Sequence, residues 1–248
     1  MIVELEGRVA LVTGASRGIG AAIAERLSEA GADVAVVYGD DEEAANGVVA
    51  RIERGGRRAI AVGGDLRDPE ALEETCRLAE GSLGSVDVSV SNAGIAPVQS
   101  LEEISNSDWD QVMEVNLRPA FLLARRLAPG MRGRGWGRIV FVSSVAAFTG
   151  GIVGPHYTAS KAALIGLAHS LAGSLAPHGV TVNAVAPALI EGGATLPGGG
   201  EEHPELAQNV PVGRLGTPEE VAQTVHAIVS NPFITAQTIS VDGGMYPR

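Results

Sequence analysis

Seven short apolar runs, rich in β-branched residues, recur along the chain: RVALVT (8–13), DVAVVY (33–38), RAIAVGGD (58–65), VDVSVSNAG (86–94), GRIVFVSS (137–144), GVTVNAVAP (179–187) and QTISVDGG (237–244). Between them lie longer stretches of helical period, at 19–31, about 42–54, 69–81, 108–130, 155–176 and 217–230. Runs that are apolar throughout, rather than alternating, suit strands buried on both faces. Strand and helix in strict alternation predict an α/β chain: a seven-stranded parallel sheet with helices on both faces, in a doubly wound, Rossmann-like arrangement. No linker or shift of composition divides the 248 residues, so a single domain is expected.

The first βα turn reads TGASRGIG (13–20). Glycines between a strand and a helix allow a tight turn and a close backbone approach. The helix start then offers free N–H groups and a positive dipole end to a pyrophosphate. A dinucleotide is the expected ligand. The second run ends at Tyr38, where the adenosine ribose would be read, and Asp33 stands at its wrong end. Tyr38 leaves room for a 2′-phosphate, and Arg17 can grip one bidentately. The following Asp40, Asp41, Glu42 and Glu43 oppose a phosphate unless they serve the next helix N-terminus. NADP(H) is favoured on this reading, with NAD(H) as the alternative.

Composition narrows the function classes. A net charge of −11 argues against nucleic acid as a partner. No apolar run approaches the roughly 18 residues of a membrane span, and the N-terminus lacks a signal-peptide pattern. The lone cysteine, Cys76, sits in a helical pattern as a packing residue and fits a reducing, cytoplasmic setting. Five histidines at scattered positions give no metal-ligand spacing. His156, His169 and His178 are read as surface or helix-end residues, with His156 beside Tyr157 at most lining a pocket, and Trp109 and Trp136 as packing. The Gly/Pro-rich stretch 188–210 is expected to be a lid over the substrate.

Lys161 is the only lysine in the protein; histidines aside, every other basic side chain is arginine. It stands four residues after Tyr157, so the two share one helix face. A phenol near pKa 10 exchanges protons poorly at neutral pH, and a nearby ammonium is expected to lower that value. Ser143 and Ser144 lie just past a strand's carboxyl end, where open α/β sheets bind ligands. The residues alone do not choose between these two serines.

With TGASRGIG, the tyrosine–lysine pair, Asp65-Leu66, Asn92-Ala93-Gly94, Asn116 in EVNLRP and VDGG at 241–244, nearly the whole chain resembles the short-chain dehydrogenase/reductase family. Within it, the chain looks most like the 3-oxoacyl-carrier-protein reductases. The resemblance implies hydride transfer between nicotinamide C4 and a carbonyl or secondary alcohol. It implies catalytic roles for Asn116, Ser144, Tyr157 and Lys161, with Lys161 also on the nicotinamide ribose and Asn116 holding a relay water. The family spacing selects Ser144 over Ser143.

Cofactor contacts are implied for Gly14, Ser16, Arg17, Gly18, Ile19 and Gly20 in the first turn, and for Tyr38, Asp65 and Leu66 beyond it. Asn92, Ala93 and Gly94, then Pro187, Leu189 and Ile190, complete the set. The resemblance also implies a homotetramer paired through the helices at 108–130 and 155–176. A substrate carried on an acidic carrier protein would need a basic patch, for which Arg132, Arg134 and Arg138 are the candidates. Other substrates in view are a sugar, a steroid or another small secondary alcohol, and a cofactor-binding sensor without turnover is a remote alternative. The chain departs from the family at Ala188 and at Gly192, where a threonine often meets the nicotinamide; Thr195 is a possible replacement.

Overall fold

The computed structural model describes residues 5–193 and 204–246. Its elements are β1 (Val9–Thr13), α1 (Gly18–Glu29), β2 (Asp33–Tyr38), α2 (Glu42–Arg54), β3 (Ala59–Gly63), α3 (Pro69–Leu83) and β4 (Val88–Ser91), followed by α4 (Asn106–Asn116), α5 (Arg118–Arg134) and β5 (Gly137–Val142). Then come α6 (Ala146–Thr149), α7 (Pro155–Leu175), a 3₁₀ turn at Ala176–His178, β6 (Val180–Pro187), α8 (Pro204–Ala207), α9 (Pro218–Ser230) and β7 (Thr238–Val241).

All seven strands pair in parallel, in the order β3-β2-β1-β4-β5-β6-β7. Successive side chains of a strand feed opposite cores, as strand geometry requires. On β1, Ala10 and Val12 join α1, α2 and α9 on one face, while Val9 and Leu11 join α3, α5 and α7 on the other. This is a doubly wound Rossmann-like fold, as the alternation of runs predicts. The strand order reverses between β1 and β4, and ligands of such sheets bind at the carboxyl ends beside that switch.

The predicted helix over 108–130 is two helices. The break falls at Asn116–Leu117, where Asn116 turns inward to hold a loop and Pro119 opens α5, a position that tolerates a missing N–H. The predicted lid at 188–210 includes 194–203, outside the described residues, as is Thr195. Among the described residues no helix is long and apolar enough to cross a membrane. Cys76 is buried in α3, and burial pushes its thiol up to about 11, as suits packing rather than reactivity.

Candidate active site

The glycine turn is stitched to the end of β4. Thr13 Oγ1 accepts from the backbone N–H of Asn92 and of Ala93, both at 3.0 Å. Asn92 Nδ2 donates to the carbonyls of Thr13 and Gly14 at 3.0 and 3.1 Å. Gly14 and Gly18 have φ of +61° and +54°, a region side chains disfavour. A Cβ on Gly20 would lie 2.2 Å from the Gly14 carbonyl oxygen. The α1 start has no side-chain cap and no acidic residue in its first turn. Compare α2, capped by Asp41 through a 3.0 Å bond from Ala44 N and carrying Glu42 and Glu43. A helix start left uncapped and free of acidic residues beside a Cβ-free turn fits a dinucleotide pyrophosphate.

Around this turn, Ser16 and Ile19 are half-buried and Arg17 is exposed, without an ion pair among the described residues. The Tyr38 ring lies across Gly63 at the end of β3; a Cβ there would meet it at 2.8 Å. Asp65 is gripped by Arg67, which holds its carboxyl below the usual range. Leu66 is buried in the core. Pro187 ends β6, and Ile190 is bridged to Gly216. The Gly192 carbonyl comes within 3.9 Å of where a Cβ of Gly18 would sit, so the segment carrying Leu189 and Ile190 crosses toward the glycine turn.

Four further predicted residues converge one strand away. Ser144 follows β5; its hydroxyl faces the Tyr157 phenol, favouring the ionised form, and accepts from Ala146 N at 3.1 Å. Ser143 points elsewhere: its Oγ donates to the Lys161 carbonyl at 2.7 Å, fastening α7 to β5. The geometry therefore separates the two serines. Lys161 Nζ donates to the Val142 carbonyl at 2.8 Å and lies 5.8 Å from the Tyr157 ring centre. Gly94 fills the space between Lys161 and Asn116; its Cβ would lie 3.4 Å from Nζ and 3.1 Å from Asn116 Oδ1.

Asn116 accepts from Ile95 N at 2.8 Å and donates to Ile95 O and Ser160 Oγ, each at 3.0 Å. An amide has two donors and two lone pairs, so one lone pair is left.

Burial sets the charges here. Desolvation lowers Lys161 to about 8. The Tyr157 phenol is raised, chiefly by burial, with Ser144 pulling the other way. This corrects the expectation that Lys161 lowers the phenol: removal from water raises it, and what opposes that is the Ser144 hydroxyl rather than the ammonium.

Other expectations also change. His156 is fully buried, not at the surface. Arg138 is buried at the start of β5, donating to the carbonyls of Val229 and Gly179, and burial lowers it to about 10. Arg134 is held by Asp87 and the Val86 carbonyl. Of the three arginines considered for a basic patch, Arg138 is thus turned inward, while Arg132 and Arg134 stay exposed; all three lie by the amino end of β5, at the far end of that strand from Ser144. Trp136 is a packing residue, its ring between the guanidinium groups of Arg8 and Arg138 at 4.0 and 4.3 Å. Thr13, Ser143 and Ser160 are supports that the sequence does not reveal; a hydroxyl signals nothing until its partner is known.

A model of the family described as short chain dehydrogenase matches residues 8–197. The chain is 39% identical to 3-oxoacyl-[acyl-carrier-protein] reductase FabG of Aquifex aeolicus, over 99% of this chain and 100% of that one. It is equally, 39%, identical to L-rhamnose 1-dehydrogenase (NAD(P)(+)) of a Sphingomonas species, over 98% and 97%. Among solved structures, a short-chain dehydrogenase/reductase from Serratia marcescens superposes with a TM-score of 0.90 at 34% identity, covering 98% and 99%. A blue fluorescent protein from a metagenomic library, in complex with NADPH, does so at 0.90 and 36%, covering 98% and 100%.

Fold and site together define a nicotinamide-dependent oxidoreductase. The chain belongs to the short-chain dehydrogenase/reductase family.

Proposed function

We propose that the protein reduces a 3-oxoacyl thioester with NADP(H). The observation that carries this reading is an apolar rim. Val98, Leu101 and Ile152 are 68%, 72% and 56% exposed, on the two segments that meet at the N-terminus of α7. Large apolar side chains left in water near a site mark contact with an apolar ligand. A sugar would call for hydrogen-bonding groups instead. The equal likeness to a rhamnose dehydrogenase supports a second reading, oxidation of a sugar or other small secondary alcohol.

For the cofactor, Arg17 has no ion pair among the described residues beside the glycine turn, and the acidic run serves the start of α2. Both favour a 2′-phosphate at that corner. When bound, the nicotinamide supplies the hydride that reaches the carbonyl carbon. Tyr157, protonated at neutral pH because burial raises it, gives its proton to the carbonyl oxygen, and a secondary alcohol results. Ser144 orients that oxygen from the other side. Lys161, a compact donor, holds ribose hydroxyls and stabilises the phenolate left behind. The remaining lone pair of Asn116 holds a water that returns the proton.

We further propose one domain with a lid near 188–210, a homotetramer joined through α5 and α7, and a cytoplasmic site of action. The small, exposed Ala162, Gly166 and Gly173 on α7 suit close helix pairing.

The test is oxidation of NADPH and of NADH with an acetoacetyl thioester, beside oxidation of L-rhamnose with NADP+ and NAD+. Turnover of the thioester, faster with NADPH, is expected. Tyr157→Phe should cut turnover about 10²–10⁴-fold and leave NADPH binding intact. Rhamnose turnover alone would transfer the assignment to the second reading.

A further inference from the structure

His156 precedes Tyr157 in the first turn of α7, and its side chain is 0% exposed. Its Nε2 lies 2.9 Å from Gln99 Oε1. The Gln99 amide also faces the Asp108 carboxylate and, after Ser105, helps keep it ionised. An ionised carboxylate only accepts, so Gln99 turns its NH₂ to Asp108 and its carbonyl to His156. His156 therefore donates through Nε2–H. Its other nitrogen, Nδ1, is buried and has no hydrogen-bond partner among the described residues. The relay ends in the cap of α4, where Asp108 Oδ2 accepts from Ser105 N at 2.9 Å and Ser105 Oγ at 2.6 Å.

A ring that leaves a nitrogen unsatisfied is a poor choice for packing alone; an aliphatic side chain would fill the space without that cost. The ring also demands glycine beside it, since a Cβ on Gly154 would lie 2.3 Å from its Cε1. What the ring does gain is a hold on the segment 92–100, which has no helix or strand of its own. That segment is fixed at Ile95 by Asn116 and at Pro97 by a 3.4 Å bond from Gly154 N. Gln99 is its next anchor, between Val98 and Leu101 of the apolar rim.

We propose that the relay's geometric link, the His156–Gln99 bond with Asp108 beside it, positions this wall against the N-terminus of α7, and thereby sets how the substrate is seated beside Tyr157. It rests on the reductase reading for its kinetic consequence, but not for its structural one. His156 is a positioning residue; no step of the reaction passes through it. The glycine turn lies outside the relay, so cofactor binding is independent of it.

The experiment uses the full chain with Gln99→Leu, His156→Leu, the double variant and His156→Gln, whose amide can still donate. Three quantities are read: amide hydrogen exchange over 95–105, KM and kcat with an acetoacetyl thioester, and NADPH affinity by fluorescence. Each leucine variant is expected to speed exchange at 95–105 and to raise KM, both by about tenfold, with kcat and NADPH affinity changed less than about twofold. The double variant should be no worse than either single one, and His156→Gln should recover most of the loss. Unchanged exchange at 95–105, additive losses, or an equal loss of NADPH affinity would overturn the proposal. Gln99 is half-exposed, so its variant carries the test if His156→Leu does not fold. If no thioester is turned over, the reductase reading fails, and the exchange data alone decide on the relay.

Discussion

Lys161 Nζ donates to the Val142 carbonyl at 2.8 Å, so the protein's one ammonium is held against the last residue of β5, two positions before Ser144. The fold bears a cost for it. Burial lowers Lys161 from 10.5 to about 8, equivalent to about 3 kcal/mol of disfavour for the charged form. Losing the bond to Val142 would cost about 1–3 kcal/mol in turn. Lys161→Met should therefore leave the cofactor-free protein as stable at pH 7 as the parent, or more so, while turnover is lost. Between pH 8 and about 10.4 the unfolded parent chain binds a proton that the folded one has released, so parental stability rises with pH there relative to the variant. Thermal melts of both proteins at pH 7 and pH 9.5 check the sign. A strongly destabilised variant at pH 7 would refute this balance.

Gly20→Ala and Gly81→Ala should act in opposite directions. A Cβ at Gly20 would lie 2.2 Å from Gly14 O and 2.6 Å from Asn92 Nδ2, while at Gly81, in α3, it meets nothing within 4 Å. The first change should destabilise by about 1–3 kcal/mol and abolish tight cofactor binding. The second should stabilise by about 0.5–1 kcal/mol. Urea midpoints and NADPH titrations measure both.

Arg17→Ala separates the two cofactors. An exposed guanidinium without an ion pair among the described residues has no structural duty to lose, so stability should stay within about 0.5 kcal/mol. NADPH affinity should fall about 10–100-fold and NADH affinity should hardly move. Equal losses for both, in a fluorescence titration, would remove Arg17 from phosphate recognition.

His226 gives the fold an acid-side weakness. Burial, then the Arg26 charge, lowers its pKa in the folded state, and its Nδ1 lies 3.1 Å from an Arg26 Nη2. Below about pH 6.5 the unfolded chain takes up a proton that the folded chain resists, so stability falls as pH drops through that value. His226→Gln should flatten this slope between pH 7.5 and pH 5. An unchanged slope would assign the acid sensitivity to other groups.

The sheet, its parallel sense and its two helical layers are legible in residue order, because strand and helix periods follow from backbone geometry and do not depend on distant partners. Spacing along one helix likewise puts Tyr157 and Lys161 on one face, whatever surrounds them. At the break, Pro119 is a visible boundary signal, but nothing in EVNLRP signals that the Asn116 amide bonds Ile95, twenty-one residues back. Spacing against the family already favoured Ser144; only the tertiary structure gave Ser143 its own partner in the Lys161 carbonyl, buried His156 with one nitrogen unsatisfied, turned Arg138 inward and raised the Tyr157 phenol. Each of these depends on which groups from remote segments face a side chain and how much water remains beside it. Solvation and long-range contacts are properties of the folded packing, and the linear order of residues does not contain them until the chain has closed around itself.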